Sequence, residues 1–152
     1  MKLEIGDTAP NFTLAANTGE NISLNNLLGR QIILYFYPKD NTPGCTAEAC
    51  DFRDNYQGLT AKGIIVLGVS VDDEKSHQKF ITKYELPFTL LADTDKKIVE
   101  AYGVWAEKSM YGKTYMGINR TTFVIDEAGN IAHIITKVDT KNPTKQVLDL
   151  LS

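Results

Sequence analysis

Two long apolar runs limit the folds open to this chain. Residues 31–37 read QIILYFY and residues 63–71 read GIIVLGVSV, and both runs are nearly continuous in apolar side chains. A strand that is apolar on both faces is typical of a sheet covered by helices on both sides. The two runs therefore predict central strands of an α/β sheet, and both are far too short to cross a membrane.

Helical and extended patterns alternate along the rest of the chain. The segments predicted to be helical are 44–57, 73–85, 95–103 and 142–152, the last with Asn142 as its cap and Pro143 at its first position. Further strands are predicted at 88–91, 121–126 and 131–137, the last two forming a hairpin. This order predicts a mixed central sheet flanked by helices, an α/β fold of thioredoxin-like type. The length of 152 residues predicts a single domain, 1–152.

The charge and the N-terminal residues exclude several functional classes. The chain has 16 Lys and Arg against 19 Asp and Glu, a net charge of −3, and no basic stripe that would favour nucleic acid binding. Residues 1–12 lack the apolar stretch of a signal peptide, so we expect a cytoplasmic protein without membrane association. Stable structural disulfides are rare in that compartment. The two cysteines of this chain are therefore expected to be either a reactive pair or two inert thiols.

The position of Cys45 favours a role as a nucleophile. Thr42 at the helix cap, Pro43 at the first helical position and Cys45 in the first turn together predict a helix start. The free N–H groups of a first helical turn stabilise a thiolate. The alternative is a small buried apolar side chain, which is what an isolated cysteine most often is.

The sequence does not predict a metal site. Cys50 follows Cys45 by five positions, which is neither a usual zinc spacing nor a C-x-x-C redox motif. His77 is expected on a solvated helix face, and His133 is expected to be half-buried in a strand. Trp105 and the tyrosines at 102, 111 and 115 are predicted to pack locally in the core and loops.

The residues around Cys45 resemble a known family. The pattern Pro38-x-x-x-Thr42-x-x-Cys45 is similar to the active-site signature of peroxiredoxins, and TPGCTAEACDFRD (42–54) resembles their bacterioferritin-comigratory, or Q-type, subfamily. The resemblance also covers four other segments: 6–14, 68–80, 86–105 and 117–126. Val71 departs from it, since relatives often have proline there, and this affects only the local loop.

The resemblance implies a role for each of six residues. Cys45 would be the peroxidatic cysteine and Cys50 the resolving one, while Thr42 and Arg120 would position thiolate and peroxide. Pro38 would shield the site, and Glu48 would orient the arginine.

The resemblance implies a thiol peroxidase that acts on hydrogen peroxide and organic hydroperoxides without a cofactor. A thioredoxin-like dithiol protein would reduce it, and an internal resolving thiol makes a monomer sufficient. The alternative from another class is a non-enzymatic redox sensor or chaperone module that uses the same cysteine pair.

The spacing of the cysteines predicts a conformational switch if they bond to each other. On one regular helix, Cα atoms five residues apart are separated by about 8.7 Å. A disulfide needs a Cα separation of about 4.4–6.8 Å. We therefore expect residues 44–52 to be helical in the reduced protein and rearranged in the disulfide form.

Overall fold

The computed structural model describes residues 3–151, and its main feature is a seven-stranded mixed sheet. The strands are β1 (Thr13–Ala16), β2 (Asn21–Ser23), β3 (Ile32–Phe36), β4 (Ile65–Ser70), β5 (Thr89–Ala92), β6 (Trp105–Met110), β7 (Lys113–Ile118), β8 (Thr121–Ile125) and β9 (Ile131–Ile135). The helices are α1 (Pro43–Asp54), α2 (Tyr56–Ala61), α3 (Glu74–Tyr84), α4 (Lys97–Ala101) and α5 (Pro143–Leu151), with a short 3-10 helix at Leu24–Leu27. The sheet order is β2-β1-β5-β4-β3-β8-β9, and β6 and β7 form a separate hairpin. Met1, Lys2 and Ser152, the last of which was predicted to end the final helix, lie outside the described residues.

The central strands are buried on both faces, as their apolar runs predict. β3, β4 and β5 are parallel, and β8 runs antiparallel beside β3. Along β3, Ile32, Leu34 and Phe36 enter one core, whereas Ile33 and Tyr35 enter the other. The second core also contains apolar side chains of α1, α3 and α5. The α/β fold with a mixed sheet and flanking helices is therefore confirmed.

The helix predicted at 44–57 is divided in two. α1 ends at Asp54, and α2 begins after Asn55, whose backbone (φ −108°, ψ 6°) leaves helical geometry. The Asn55 amide side chain donates to the carbonyl of Asp51 at 2.8 Å. An asparagine that bonds to a nearby backbone carbonyl competes with the helical ladder, which explains the break.

The β6–β7 hairpin and the β1–β2 edge were not predicted. The hairpin stands apart from the main sheet and turns at Tyr111 and Gly112, both with positive φ. Tyr111 is 97% exposed and Tyr115 is 45% exposed, so the prediction that they pack locally was wrong. Tyr102 is buried and Trp105 packs against the first core, as predicted.

The topology brings the start of α1 and Arg120 together. β3 leads through residues 38–42 into α1, so α1 starts at the carboxyl end of a buried strand. β8 pairs with β3 in the register Phe36↔Thr121, which places Arg120 beside the same end. Within residues 3–151, no helix has the length and apolar content needed to span a membrane.

Candidate active site

The first turn of α1 has the predicted start. Thr42 is the N-terminal cap residue with extended backbone, and Pro43 occupies the first turn. The Thr42 hydroxyl does not cap the helix, because it donates to the carbonyl of Lys39 at 2.9 Å. Cys45 lies in this first turn and is 1% exposed. Its sulfur therefore sits at a helix N-terminus, largely screened from water.

Arg120 connects the cysteine to a buried carboxylate. Its Nη2 donates to Cys45 Sγ at 3.3 Å, and its Nη1 donates to Glu48 Oε1 at 2.7 Å. Glu48 is completely buried one turn after Cys45 on the same face of α1. The structure thus joins three residues that the sequence proposed as site residues, across a separation of up to 75 positions.

Burial and charge oppose each other in this cluster. Burial alone would lower the pKa of Arg120, but the charges of Cys45 and Glu48 raise it above its ordinary value. Burial raises the pKa of Glu48 from 4.5 to about 7, although Arg120 pulls it down. The second carboxyl oxygen of Glu48 has no hydrogen-bond partner among the described residues. Arg120 therefore stays charged, while Glu48 carries a burial cost that one ion pair offsets only in part.

The pKa of Glu48 predicts a pH dependence of stability. Because folding raises this pKa from 4.5 to about 7, the folded state binds more protons in between. The contribution of Glu48 is full below pH 4.5 and is lost as the pH rises through the folded value. We expect the free energy of unfolding of the wild type, minus that of Glu48→Gln, to fall by about 3 kcal/mol between about pH 4 and pH 8. Denaturant titrations across this range measure it, and parallel curves for the two proteins would contradict it.

Gly44 provides the space in which Arg120 approaches the sulfur. A Cβ atom at Gly44 would lie 3.1 Å from Arg120 Nη2 and 3.8 Å from Cγ2 of Thr140. That first distance is tighter than ordinary packing, so the guanidinium would have to move. This requirement is not evident from the sequence, because it depends on a side chain 76 positions away.

We expect Gly44→Ala to slow the reaction of Cys45 with peroxide by about tenfold, since a small displacement of a positioning group is costly. Its stability should change little, because the higher helix propensity of alanine is offset by the displacement of the guanidinium that pairs with Glu48. Gly58→Ala in α2 is the matched control, because its Cβ meets nothing within 4 Å. Stopped-flow peroxide rates and thermal melts separate the two effects. Equal rates for both variants would contradict the role of Gly44.

Cys50 and Pro38 lie on either side of Cys45 along the chain. Cys50 is half-buried on the same helix, and both cysteines are free thiols. α1 continues without a break from Pro43 through Cys50 to Asp54, which confirms the helix predicted for the reduced protein. Pro38 is half-buried and follows β3 at the entrance to the loop.

Lys108 is a neighbour of the site that was not predicted. Burial lowers the pKa of Lys108, and the charge of Arg120 lowers it further, while Cys45 raises it. Lys108, Arg120 and Lys137 line an open cleft of about 520 Å³. The side chain of Lys108 lies over Gly117, where an added Cβ would be 3.2 Å from Lys108 Cδ. The unpredicted hairpin therefore adds a cation to a cleft that Arg120 and Lys137 also line.

The histidines are placed differently from each other. His133 is half-buried in β9, as predicted, but the prediction of a solvated His77 was wrong. His77 is completely buried, with Nδ1 2.7 Å from Asp40 Oδ2 and Nε2 2.9 Å from the Leu91 carbonyl. Among residues 3–151, no three His, Cys, Asp or Glu side chains are grouped so that they could hold a metal ion.

Comparison with known proteins agrees with the local geometry. The model of the AhpC/TSA family matches residues 5–134. A putative peroxiredoxin Bcp of Coxiella burnetii is 51% identical over 151 residues, covering 99% of this chain and 100% of the relative. The peroxiredoxin Bcp of Bacillus subtilis is 45% identical, with coverage of 99% and 96%. The chain belongs to the AhpC/TSA family of peroxiredoxins.

Solved structures share the fold of this peroxiredoxin along nearly its whole length. A cysteine-to-serine variant of Xylella fastidiosa PrxQ superposes with a TM-score of 0.93 at 34% identity, covering 99% of this chain and 96% of that one. A Xanthomonas campestris bacterioferritin comigratory protein, studied for alkyl peroxide reduction, gives a TM-score of 0.87 at 36% identity, with coverage of 92% and 89%. These relatives confirm the Q-type resemblance and the thioredoxin-like fold.

Two cysteines of one of these relatives have a different spacing. The Xanthomonas campestris peroxiredoxin Q has been studied with cysteines replaced at two positions 36 residues apart. The two cysteines of this peroxiredoxin are five residues apart on one helix. The position of its second cysteine is therefore defined by its own α1.

Proposed function

We propose that this peroxiredoxin reduces hydrogen peroxide and organic hydroperoxides with the thiolate of Cys45. The observation that carries the proposal is the position of Arg120, which donates to Cys45 Sγ and is held by the buried Glu48. A thiol-dependent peroxidase needs a cation fixed beside its sulfur, and this contact supplies one. The alkyl peroxide reduction studied for the Xanthomonas campestris relative supports the inclusion of organic hydroperoxides.

The first step forms an S–O bond and breaks the O–O bond. The Cys45 thiolate attacks the terminal oxygen of the peroxide, giving sulfenic acid and releasing water or an alcohol once the leaving oxygen takes a proton. The peroxide is reduced by two electrons, and the sulfur is oxidised by two. No metal or cofactor is required for this exchange.

Positioning must supply most of the rate. A more readily ionised thiol is also a weaker nucleophile, with a Brønsted slope of about 0.4–0.5, so ionisation by itself gains little. Donors aimed at both peroxide oxygens stabilise the charge that develops on the leaving oxygen. We assign this role to Arg120 and the free backbone N–H groups of Gly44 and Cys45, with Pro38 shielding the site. The Thr42 hydroxyl, which donates to the Lys39 carbonyl, would accept a hydrogen bond from the peroxide.

Cys50 is the proposed resolving cysteine. Its thiol attacks the Cys45 sulfenic acid, which forms a disulfide and releases water. Because the helix holds their Cα atoms about 8.7 Å apart, it must open before the sulfurs meet. Opening also strains the contact of Asp51 with α5, where the Asp51 carboxylate accepts from the Thr144 backbone N–H at 3.0 Å. The reduced helix therefore presents Cys45, and its unwound form allows the disulfide.

We expect Cys50→Ser to consume one equivalent of peroxide at the wild-type rate and then to stop, because Cys45 is left as sulfenic acid. Turnover driven by thioredoxin should fall by roughly tenfold or more. Single-turnover and steady-state assays measure the two steps. Wild-type turnover in this variant would identify another thiol as the resolver.

The same variant is the control for the opening of α1. After peroxide treatment, backbone amides of residues 47–51 should exchange faster in the wild type, because the disulfide excludes the helix, but not in Cys50→Ser. Hydrogen exchange followed by mass spectrometry measures this. Equal protection of that segment in the reduced and disulfide wild-type forms would contradict the switch.

The reductant, the oligomeric state and the location are proposed from the same chemistry. A thioredoxin-like dithiol protein is the proposed reductant, because it can exchange with a disulfide formed within one chain. With both cysteines on one helix, turnover needs no second copy, so we propose a monomer. A cytoplasmic location fits a protein whose cysteines work as a reduced pair.

A further inference from the structure

A buried pair of ionisable side chains lies outside the thiol site. The ring of His77 on α3 is completely buried, and the side chain of Asp40 is 5% exposed. Nδ1 of His77 lies 2.7 Å from Oδ2 of Asp40. Burying two ionisable groups is costly unless they are paired and fully hydrogen-bonded, so their partners decide what the pair does.

The partners of His77 define its protonation state. Nε2 lies 2.9 Å from the backbone carbonyl of Leu91, which can only accept a hydrogen bond. Nδ1 faces the Asp40 carboxylate, which also accepts. The Tyr37 hydroxyl lies 3.4 Å from the same nitrogen, but its proton is donated to Asp40 Oδ1 at 2.5 Å. A neutral imidazole has one donor nitrogen, whereas an imidazolium has two. The surroundings therefore match the imidazolium form.

Asp40 is surrounded by donors. Besides His77, its carboxylate accepts from the Tyr37 hydroxyl at 2.5 Å and from the Ser76 hydroxyl at 2.8 Å. Burial, and then the charge of Asp40, raises the pKa of Tyr37 well above its ordinary value, so the phenol keeps its proton for this bond. Three converging donors suit an ionised carboxylate, which is an acceptor only.

The pair fixes the loop that enters the active site. Asp40 is the middle residue of segment 38–42, and its backbone N–H donates to Asp72 Oδ2 at 2.8 Å. The next residue, Asn41, has a left-handed backbone (φ 59°) and accepts from the Tyr84 hydroxyl at 2.9 Å. Helix α3 thus holds the loop at two consecutive residues, directly before Thr42 and the start of α1.

We propose that His77 is a positioning residue for the peroxidase reaction. Its imidazolium holds Asp40, and Asp40 fixes the loop that places Thr42 and the first turn of α1. The effect of His77 on the peroxidase reaction rests on the proposed function, whereas the protonation of His77 and the order of the loop do not.

The first test reads the ring directly. The chain has two histidines, so His133→Gln leaves His77 as the only one. In ¹⁵N-labelled protein at pH 7, both His77 nitrogens should give protonated-type resonances and correlate with attached protons. A pyridine-like resonance from either nitrogen would overturn the proposal. This result stands whether or not the protein reacts with peroxide.

The second test separates positioning from stability. We expect His77→Gln to slow the peroxide step by about 10- to 100-fold, because small displacements near a reacting centre are costly. Asp40→Asn should behave alike, and the double variant should lose little more than either single one. Reduction of the Cys45–Cys50 disulfide by thioredoxin should keep its rate, since that step does not use the positioned loop.

Val99→Ala is the control for stability, because Val99 lies in the first core on the other face of the sheet. It should lose thermal stability and keep the peroxide rate. A His77→Gln rate within twofold of the wild type, equal slowing of both steps, or equal slowing in Val99→Ala would overturn the positioning role. If the wild type itself reacts no faster than a free thiol, the proposed function fails, and the ring resonances still report on the pair.

Discussion

Replacing Cys45 with serine is expected to abolish peroxide reduction. A serine hydroxyl is almost entirely protonated at neutral pH, so it offers no anion to attack the O–O bond. Arg120 and Glu48 would remain in place, since the change removes one sulfur and adds a smaller oxygen. The measurement is peroxide consumption by the reduced variant under conditions in which the wild type completes one turnover.

The chain contains its own control for this experiment. Cys50→Ser removes the other thiol and should keep the first equivalent of peroxide reduction, so the comparison assigns the reacting sulfur. Residual activity in Cys45→Ser above about a tenth of the wild-type value would reject Cys45 as the nucleophile.

Replacing Arg120 with lysine is expected to lower the peroxide rate constant by about 10²- to 10³-fold, the usual effect of removing one transition-state donor. The guanidinium donates to Cys45 Sγ and Glu48 Oε1 with two different nitrogens. A lysine has the same charge but a single nitrogen, so it cannot make both contacts in this planar arrangement. Stopped-flow measurement with hydrogen peroxide gives the rate constant.

Arg30→Lys is the matched control, because Arg30 is exposed and precedes β3 at the opposite end from α1. It should react as the wild type does. A folded Arg120→Lys protein with an unchanged rate would show that the guanidinium contact has no catalytic role.

The central sheet and the start of α1 were predictable because their signals are local. Continuous apolar runs indicate burial on both faces, and Thr42-Pro43 marks a helix start without reference to any other part of the chain. The position of Arg120 depends instead on the pairing of β8 with β3, a contact between segments more than 80 residues apart. Residue patterns alone do not specify such a pairing, and only the family resemblance pointed to this arginine.

The β6–β7 hairpin was missed because its strands carry little apolar pattern. Most of its side chains are exposed, so its strands lack the alternation of apolar and polar residues that predicts a half-buried strand. His77 is a different case, since a signal was present. Positions 77, 80, 81 and 84 form one helical stripe, whose other three members, Phe80, Ile81 and Tyr84, are typical of a buried face. The periodicity places His77 on the buried face, although its polarity is typical of a solvated one.

The most direct test of the account is the rate at which the reduced wild-type protein consumes hydrogen peroxide in a stopped-flow instrument. The cluster of Cys45, Arg120 and Glu48 predicts a second-order rate constant orders of magnitude above that of a free thiol, followed by formation of one intramolecular disulfide. A redox sensor without a peroxide site would not need that acceleration. A rate no faster than that of a free thiol would contradict the account.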